Sequence, residues 1–140
     1  SMDQQLIDAD GGLTLDENNE ASVDVDFDVE NTGTCDIYIR VAVLPIILHK
    51  ENSQIVYKLN KSSCEIQYCN ENDSSVLDDE YWEKSSDGYY YYKKVLKQGQ
   101  GLENGLISKV KFKPNKSEIV DFCDKKVQIA VKVESRQNEF

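Results

Sequence analysis

Eight consecutive residues of this chain alternate strictly between apolar and acidic side chains. The apolar members are Val23, Val25, Phe27 and Val29, and the acidic members are Asp24, Asp26, Asp28 and Glu30. Successive side chains of a β-strand point to opposite faces, whereas a helix needs apolar residues three or four positions apart. The segment therefore predicts a half-buried antiparallel strand with one solvated face.

Comparable patterns recur along the chain and predict an all-β fold. Further strands are predicted at Cys35–Leu44, Gln54–Leu59, Cys64–Cys69, Tyr81–Trp82, Gly88–Lys93, Leu106–Lys113 and Val127–Glu134. The short turn at Asn31–Thr34 predicts that the first two strands form a hairpin. About eight short strands, with turns roughly every 8–12 residues, favour an antiparallel β-sandwich of jelly-roll-like type.

The length of 140 residues corresponds to one domain. Residues 1–20 are polar, with Leu6-Ile7 and Leu13–Leu15 as their strand-like fragments. We therefore predict an N-terminal arm over residues 1–20, either a donor strand or a disordered segment. A single β-sandwich domain is predicted over residues 21–140. The longest apolar run, Val41–Leu48, contains Pro45 and falls short of the ~20 residues of a membrane span.

The charge balance restricts the partners of the chain. A formal net charge of -10 argues against nucleic acid and anionic membranes, because both are bound by clustered cationic side chains. His49 is the single histidine, so zinc sites with two histidines are excluded, and one imidazole base remains for nucleophilic catalysis. We expect a non-enzymatic protein without a cofactor.

Two acidic groups are candidates for chemistry. Asp24, Asp26 and Asp28 lie about 6.6–7 Å apart along one strand face, which allows either a calcium site or a solvated face that discourages edge-to-edge aggregation. The second group is Asp73, Asp78, Asp79 and Glu80. Paired carboxylates beside aromatic residues can hydrolyse a glycoside, but loops of this kind are ordinarily just solvated. A carboxylate-dependent hydrolase is accordingly the weakest of the functional alternatives.

A run of four tyrosines, residues 89–92, stands in one predicted strand. Tyr90 and Tyr92 would share one face of that strand, and exposed tyrosines suit contacts with proteins or glycans. Together with Tyr81 and Trp82 they are the candidate residues of a binding platform. The alternative interpretation is that the tyrosines cover a sheet face as part of its packing.

The four cysteines are Cys35, Cys64, Cys69 and Cys123, and four cysteines allow three disulfide connectivities. Cys64 and Cys69 can be joined across a tight loop but not along one straight strand. Cys35 and Cys123 each precede a strong strand and can meet if those strands are adjacent. Free buried thiols are the remaining alternative.

Three segments in this order resemble a family of exported bacterial proteins. They are Val29–Gly33 with Ile37–Val41, the tyrosine-rich stretch Asp87–Lys97, and the closing stretch Val127–Gln137. Together they resemble the TasA/camelysin-type proteins, a signal-peptidase-dependent biofilm-matrix and surface group of Gram-positive bacteria. The sequence departs from the family pattern at Gln98-Gly99-Gln100, where Pro-Gly-Glu is usual.

The resemblance implies a jelly-roll-like β-sandwich and a secreted protein of the cell surface or extracellular matrix. It also implies assembly in which a terminal strand of one subunit completes the sheet of the next, with residues 1–20 as the corresponding arm. Ser1-Met2 is typical of a start left by cloning, so an export signal is expected to have been removed. The expected partners are other copies of the chain or other matrix and surface proteins. A glycan- or protein-binding module is the alternative function.

Overall fold

The computed structural model describes residues 2–8, 17–18, 20–49, 55–58, 63–115 and 125–140. Their strands are β1 Met2–Asp8, β2 Ala21–Asp24, β3 Tyr38–His49, β4 Ile55–Lys58, β5 Cys64–Tyr68, β6 Trp82–Lys84, β7 Tyr90–Tyr92, β8 Ile107–Phe112 and β9 Lys125–Arg136. Over these ranges no helix is long and apolar enough to cross a membrane.

The strands form two packed antiparallel sheets. The six-stranded sheet has the order β1-β9-β3-β7-β6, with β4 paired to β3, and the three-stranded sheet has the order β2-β8-β5. The predicted all-β sandwich is therefore confirmed. Its jelly-roll-like connectivity stays a prediction.

The hydrophobic core lies between the facing sides of the two sheets. The three-stranded sheet contributes Val23, Val110 and Phe112, and the six-stranded sheet contributes Ile39, Val41, Ile129, Val131 and Trp82. Burying one aliphatic or aromatic side chain of this size stabilises a fold by roughly 1.5–3 kcal/mol. The alternating pattern of each strand thus produces the core directly.

The acidic alternating segment has the predicted one-sided burial. Val23, Val25 and Phe27 are buried, and the acidic residues between them are exposed. Strand β2 ends at Asp24, but the pairing continues beyond it, since the Val25 amide donates to the Ser108 carbonyl at 2.9 Å.

The hairpin predicted between the first two strands is wrong. Strand β2 pairs with β8 in the three-stranded sheet, whereas β3 pairs with β9, β7 and β4 in the other sheet. The buried Asn31 side chain explains the crossing, because its amide donates to the carbonyls of Cys35 and Leu96 and accepts from the Gly33 amide. These bonds hold the chain as it passes from one sheet to the other.

A tight turn precedes β8. The Asn104 side chain donates to the Cys69 carbonyl at 2.8 Å and accepts from the Leu106 amide at 2.8 Å. Leu106 is fully buried and has a left-handed backbone with φ of 67°, which costs a non-glycine residue about 1–2 kcal/mol. The Asn104 bonds on both sides and the burial of Leu106 offset that strain.

Strand β1 forms one edge of the six-stranded sheet. It pairs antiparallel with β9 over its whole length, from Met2 opposite Glu134 to Asp8 opposite Gln128. The opposite edge is the short strand β6. Within the predicted arm, residues 9–16 and 19 lie outside the described ranges.

Candidate functional site

Most of the predicted aromatic platform lies inside the protein. Trp82 is 0% exposed, Tyr90 2% and Tyr92 6%. The Trp82 and Tyr92 rings are tilted against each other at 4.9 Å, and the Trp82 indole donates to the Asn104 carbonyl. The expectation that these side chains are exposed is wrong, because the cross-strand pairs Trp82–Tyr92 and Val41–Tyr90 turn them towards the core. Tyr81 remains partly exposed.

Tyr89 and Tyr91 instead contact Arg40 on the outer side of the six-stranded sheet. The Arg40 guanidinium lies 4.2 Å from the Tyr89 ring centroid and 5.9 Å from that of Tyr91. It also donates to the Tyr91 hydroxyl at 3.1 Å and to the Glu134 carboxylate. This arrangement follows from register, since Arg40 stands opposite both Tyr91 and Glu134 on its two neighbouring strands.

Phe140 completes this group, which we call the Arg40 cluster: Arg40, Tyr89, Tyr91, Glu134 and Phe140. The Phe140 ring lies 4.7 Å from the Arg40 guanidinium and 4.7 Å from that of Arg136, and it meets the Tyr91 ring edge-on at 5.7 Å. Cation–π contacts at partly exposed sites contribute roughly 0.5–1 kcal/mol each. The cluster therefore stabilises the packing of the residues after β9 against β3 and β7.

Replacing Tyr91 by phenylalanine is expected to raise the pKa of Asp87 towards its ordinary value. The Tyr91 hydroxyl and the Tyr89 amide donate to the Asp87 carboxylate, and these bonds lower its pKa. A lowered pKa in the folded state stabilises the fold above the ordinary pKa, and that contribution is lost as the pH falls through the folded-state value. Carboxyl titration by NMR measures the change, and an unchanged Asp87 pKa in Tyr91→Phe would contradict this assignment.

A polar cleft of about 500 Å³ lies beside Tyr81. Its lining includes the carboxylates Glu71, Asp78, Glu80 and Glu103. Lys94 crosses this region, with its ammonium 4.8 Å from the Tyr81 ring centroid and 2.9 Å from Glu103. The structure thus brings Asp78 and Glu80 of the predicted acidic loop to one cleft with Tyr81. Glu103, from a different loop, also lines this cleft, although no sequence pattern indicated it.

A second, mainly apolar cleft of about 470 Å³ lies between the two sheets. Residues of β3, β5, β6 and β7 line it, among them Val43, Ile66, Tyr68, Lys84 and Tyr90. The hydroxyls of Tyr68 and Tyr90 are hydrogen-bonded to each other at 2.9 Å. Sequence patterns did not indicate this cleft, because its walls come from both sheets.

The three calcium candidates Asp24, Asp26 and Asp28 stand exposed along one strand face. The Asp24 carboxylate lies 3.6 Å from the Lys109 ammonium, and the Asp28 carboxylate accepts from the Val29 amide. In the part of the chain that the structure describes, no three His, Cys, Asp or Glu side chains are grouped so that they could hold a metal ion.

The geometry argues against a disulfide between Cys64 and Cys69, one of the alternatives that the sequence left open. Cys64 opens β5 and Cys69 follows its last residue, so at about 3.3 Å per residue their Cα atoms are roughly 16 Å apart. A bridge needs about 4.4–6.8 Å. Cys69 and the exposed Cys35 are free thiols, and burial raises the pKa of Cys69. The proposed partner of Cys35, Cys123, lies outside the described residues.

Comparison of the chain with protein-family models, curated proteins and solved structures finds no match.

Proposed function

We propose that this protein is a non-enzymatic structural subunit that associates through β-strand exchange at the edge of its six-stranded sheet. Strand β1 of one copy would leave its own β9 and pair with β9 of the next. The observation that carries this proposal is the edge position of β1, in register with β9 over Met2–Asp8. Export to a bacterial cell surface or matrix belongs to the same proposal, on the basis of the family resemblance.

The exchange re-forms, between two chains, the backbone hydrogen bonds that it breaks within one chain. An edge strand donates and accepts backbone hydrogen bonds on one side, and the same ladder forms whether the strand comes from the same chain or from another. Residues 9–20 separate β1 from β2, and the two strands belong to different sheets. Swapping an identical element between protomers is for this reason a low-cost route to association.

The composition of β1 suits an exchangeable strand. Its sequence is Met-Asp-Gln-Gln-Leu-Ile-Asp, so four of its seven residues are polar or charged and the backbone ladder supplies much of its attachment. The net charge of -10 opposes association of copies at low ionic strength, because like charges repel over a distance that salt shortens. Association is therefore expected to strengthen as salt is added.

The double substitution Gln4→Pro with Gln5→Pro is expected to abolish self-association. Neighbouring residues of an edge strand direct their N–H groups to opposite sides, so one of the two donates to β9, and proline has no N–H to donate. The measurement is light scattering and electron microscopy of the unsubstituted chain and the variant, over a range of protein and salt concentrations.

The matched control is Gln4→Ala with Gln5→Ala, which keeps both N–H groups and should associate like the unsubstituted chain. Trp82 fluorescence reports whether the core is intact in each protein. Assemblies that persist in the proline variant, or an unsubstituted chain that stays monomeric at every concentration and salt level, would refute strand exchange through β1.

A further inference from the structure

The cleft between the two sheets has the dimensions and lining of a small-molecule site. Its volume of about 470 Å³ falls within the roughly 300–1,000 Å³ of ligand pockets. Its apolar wall is formed by Val43, Leu44, Pro45, Ile66, Tyr68 and Tyr90. An apolar ligand body that displaces poorly bonded water from such a wall gains affinity.

The two tyrosine hydroxyls do not demand a polar ligand. They bond to each other at 2.9 Å, so each hydroxyl keeps a hydrogen-bond partner when an apolar body is placed against them. Burial raises the pKa of both Tyr68 and Tyr90, so both stay neutral near pH 7 and do not repel an anion. Ser75, also in the lining, already donates its hydroxyl to Asp73 at 2.7 Å.

Lys84 is the charged side chain among the described residues of this lining. Its ammonium lies 5.0 Å from the Tyr90 ring centroid, which holds it beside the apolar wall. Within the described ranges no carboxylate lies at ion-pair distance from it. A cation next to an apolar cleft complements a molecule that carries one negative charge at the end of an apolar body.

We propose that this cleft binds a small amphiphilic anion, with its apolar body between the sheets and its anionic group paired with Lys84. Strand exchange and this site are independent, because the lining among the described residues comes from β3, β5, β6, β7 and adjoining loops. The chemical class is a monocarboxylate with a medium-length hydrocarbon or aromatic body.

Titration of the full chain with decanoate, below the concentration at which it forms micelles, tests the proposal. Calorimetry is expected to show saturable binding, and amide shifts in NMR should concentrate at Val43, Ile66 and Gly88. Lys84→Gln is expected to weaken decanoate binding by about 1.5- to fivefold, the range of a solvent-exposed ion pair. Decanol, which has the same body without the charge, should bind Lys84→Gln and the unsubstituted chain equally.

Lys97→Gln is the matched control, since Lys97 is exposed and is not part of the lining. It removes the same charge and should leave decanoate binding unchanged. Failure of decanoate to saturate, or shifts confined to other surfaces, would overturn the site. Equal losses in Lys84→Gln and Lys97→Gln would overturn the pairing with Lys84, because they would show a response to net charge alone.

Discussion

Replacing Trp82 by alanine is expected to lower the free energy of unfolding by about 3–5 kcal/mol, the usual cost of deleting a fully buried aromatic side chain. Trp82 is completely buried, packs against the tilted ring of Tyr92 and donates its indole N–H to the Asn104 carbonyl at 3.2 Å. Domains are stable by about 5–15 kcal/mol. The substitution therefore removes a large part of the total stability.

Urea unfolding followed by circular dichroism measures this loss, since Trp82 is the single tryptophan and its fluorescence disappears with it. Trp82→Phe is the matched variant, because it keeps an aromatic ring beside Tyr92 but has no N–H to donate to Asn104. It should lose less than the alanine variant. A loss below about 0.5 kcal/mol for Trp82→Ala would be the value expected of a surface position and would contradict the buried position of this ring.

Adding one methyl group at Gly105 is the second change with a large expected effect. A Cβ atom there would lie 2.8 Å from the Phe27 carbonyl oxygen, closer than real Cβ contacts, and that oxygen belongs to backbone. Gly105→Ala must therefore push apart the segment after β2 and the turn before β8. Overpacking of this kind costs about 1–3 kcal/mol, and this turn also carries the strained Leu106.

Gly101→Ala provides the control for Gly105→Ala. A Cβ at Gly101 would have its nearest neighbour, the Asp28 carboxylate, at 3.5 Å, which is an ordinary van der Waals contact. Its stability should stay within about 0.5 kcal/mol of the unsubstituted chain. Thermal unfolding followed by Trp82 fluorescence compares the two variants, and equal melting temperatures would disprove the close approach at Gly105.

The sequence predicted strands well and their partners poorly. The alternation from Val23 to Phe27 correctly indicated which side chains are buried, because burial in a strand follows from a local period of two. The partner of that strand is β8, more than eighty residues away in the chain. No local sequence pattern encodes a pairing over such a distance. The short turn after Val29 instead favoured pairing with the next strand, β3, which was wrong.

The same limit applies to the candidate site residues. The alternation of Tyr89–Tyr92 correctly implied that the tyrosines divide between two faces, but not which pair faces the core. That choice depends on Trp82 standing opposite Tyr92 and Arg40 opposite Tyr91, which are relations between separate strands. Arg40 and Lys84 were missed for this reason, since each gains its role from residues far away in the sequence.

The position of β9 has a consequence for how the protein forms during synthesis. Strand β9 lies between β1 and β3 and pairs with both, so the six-stranded sheet cannot close until Lys125–Arg136 has been synthesised. Pairings between such distant segments form slowly, because a long loop must be closed before any contact is made. The sheet is therefore expected to close late in folding, because β9 must first meet both β1 and β3.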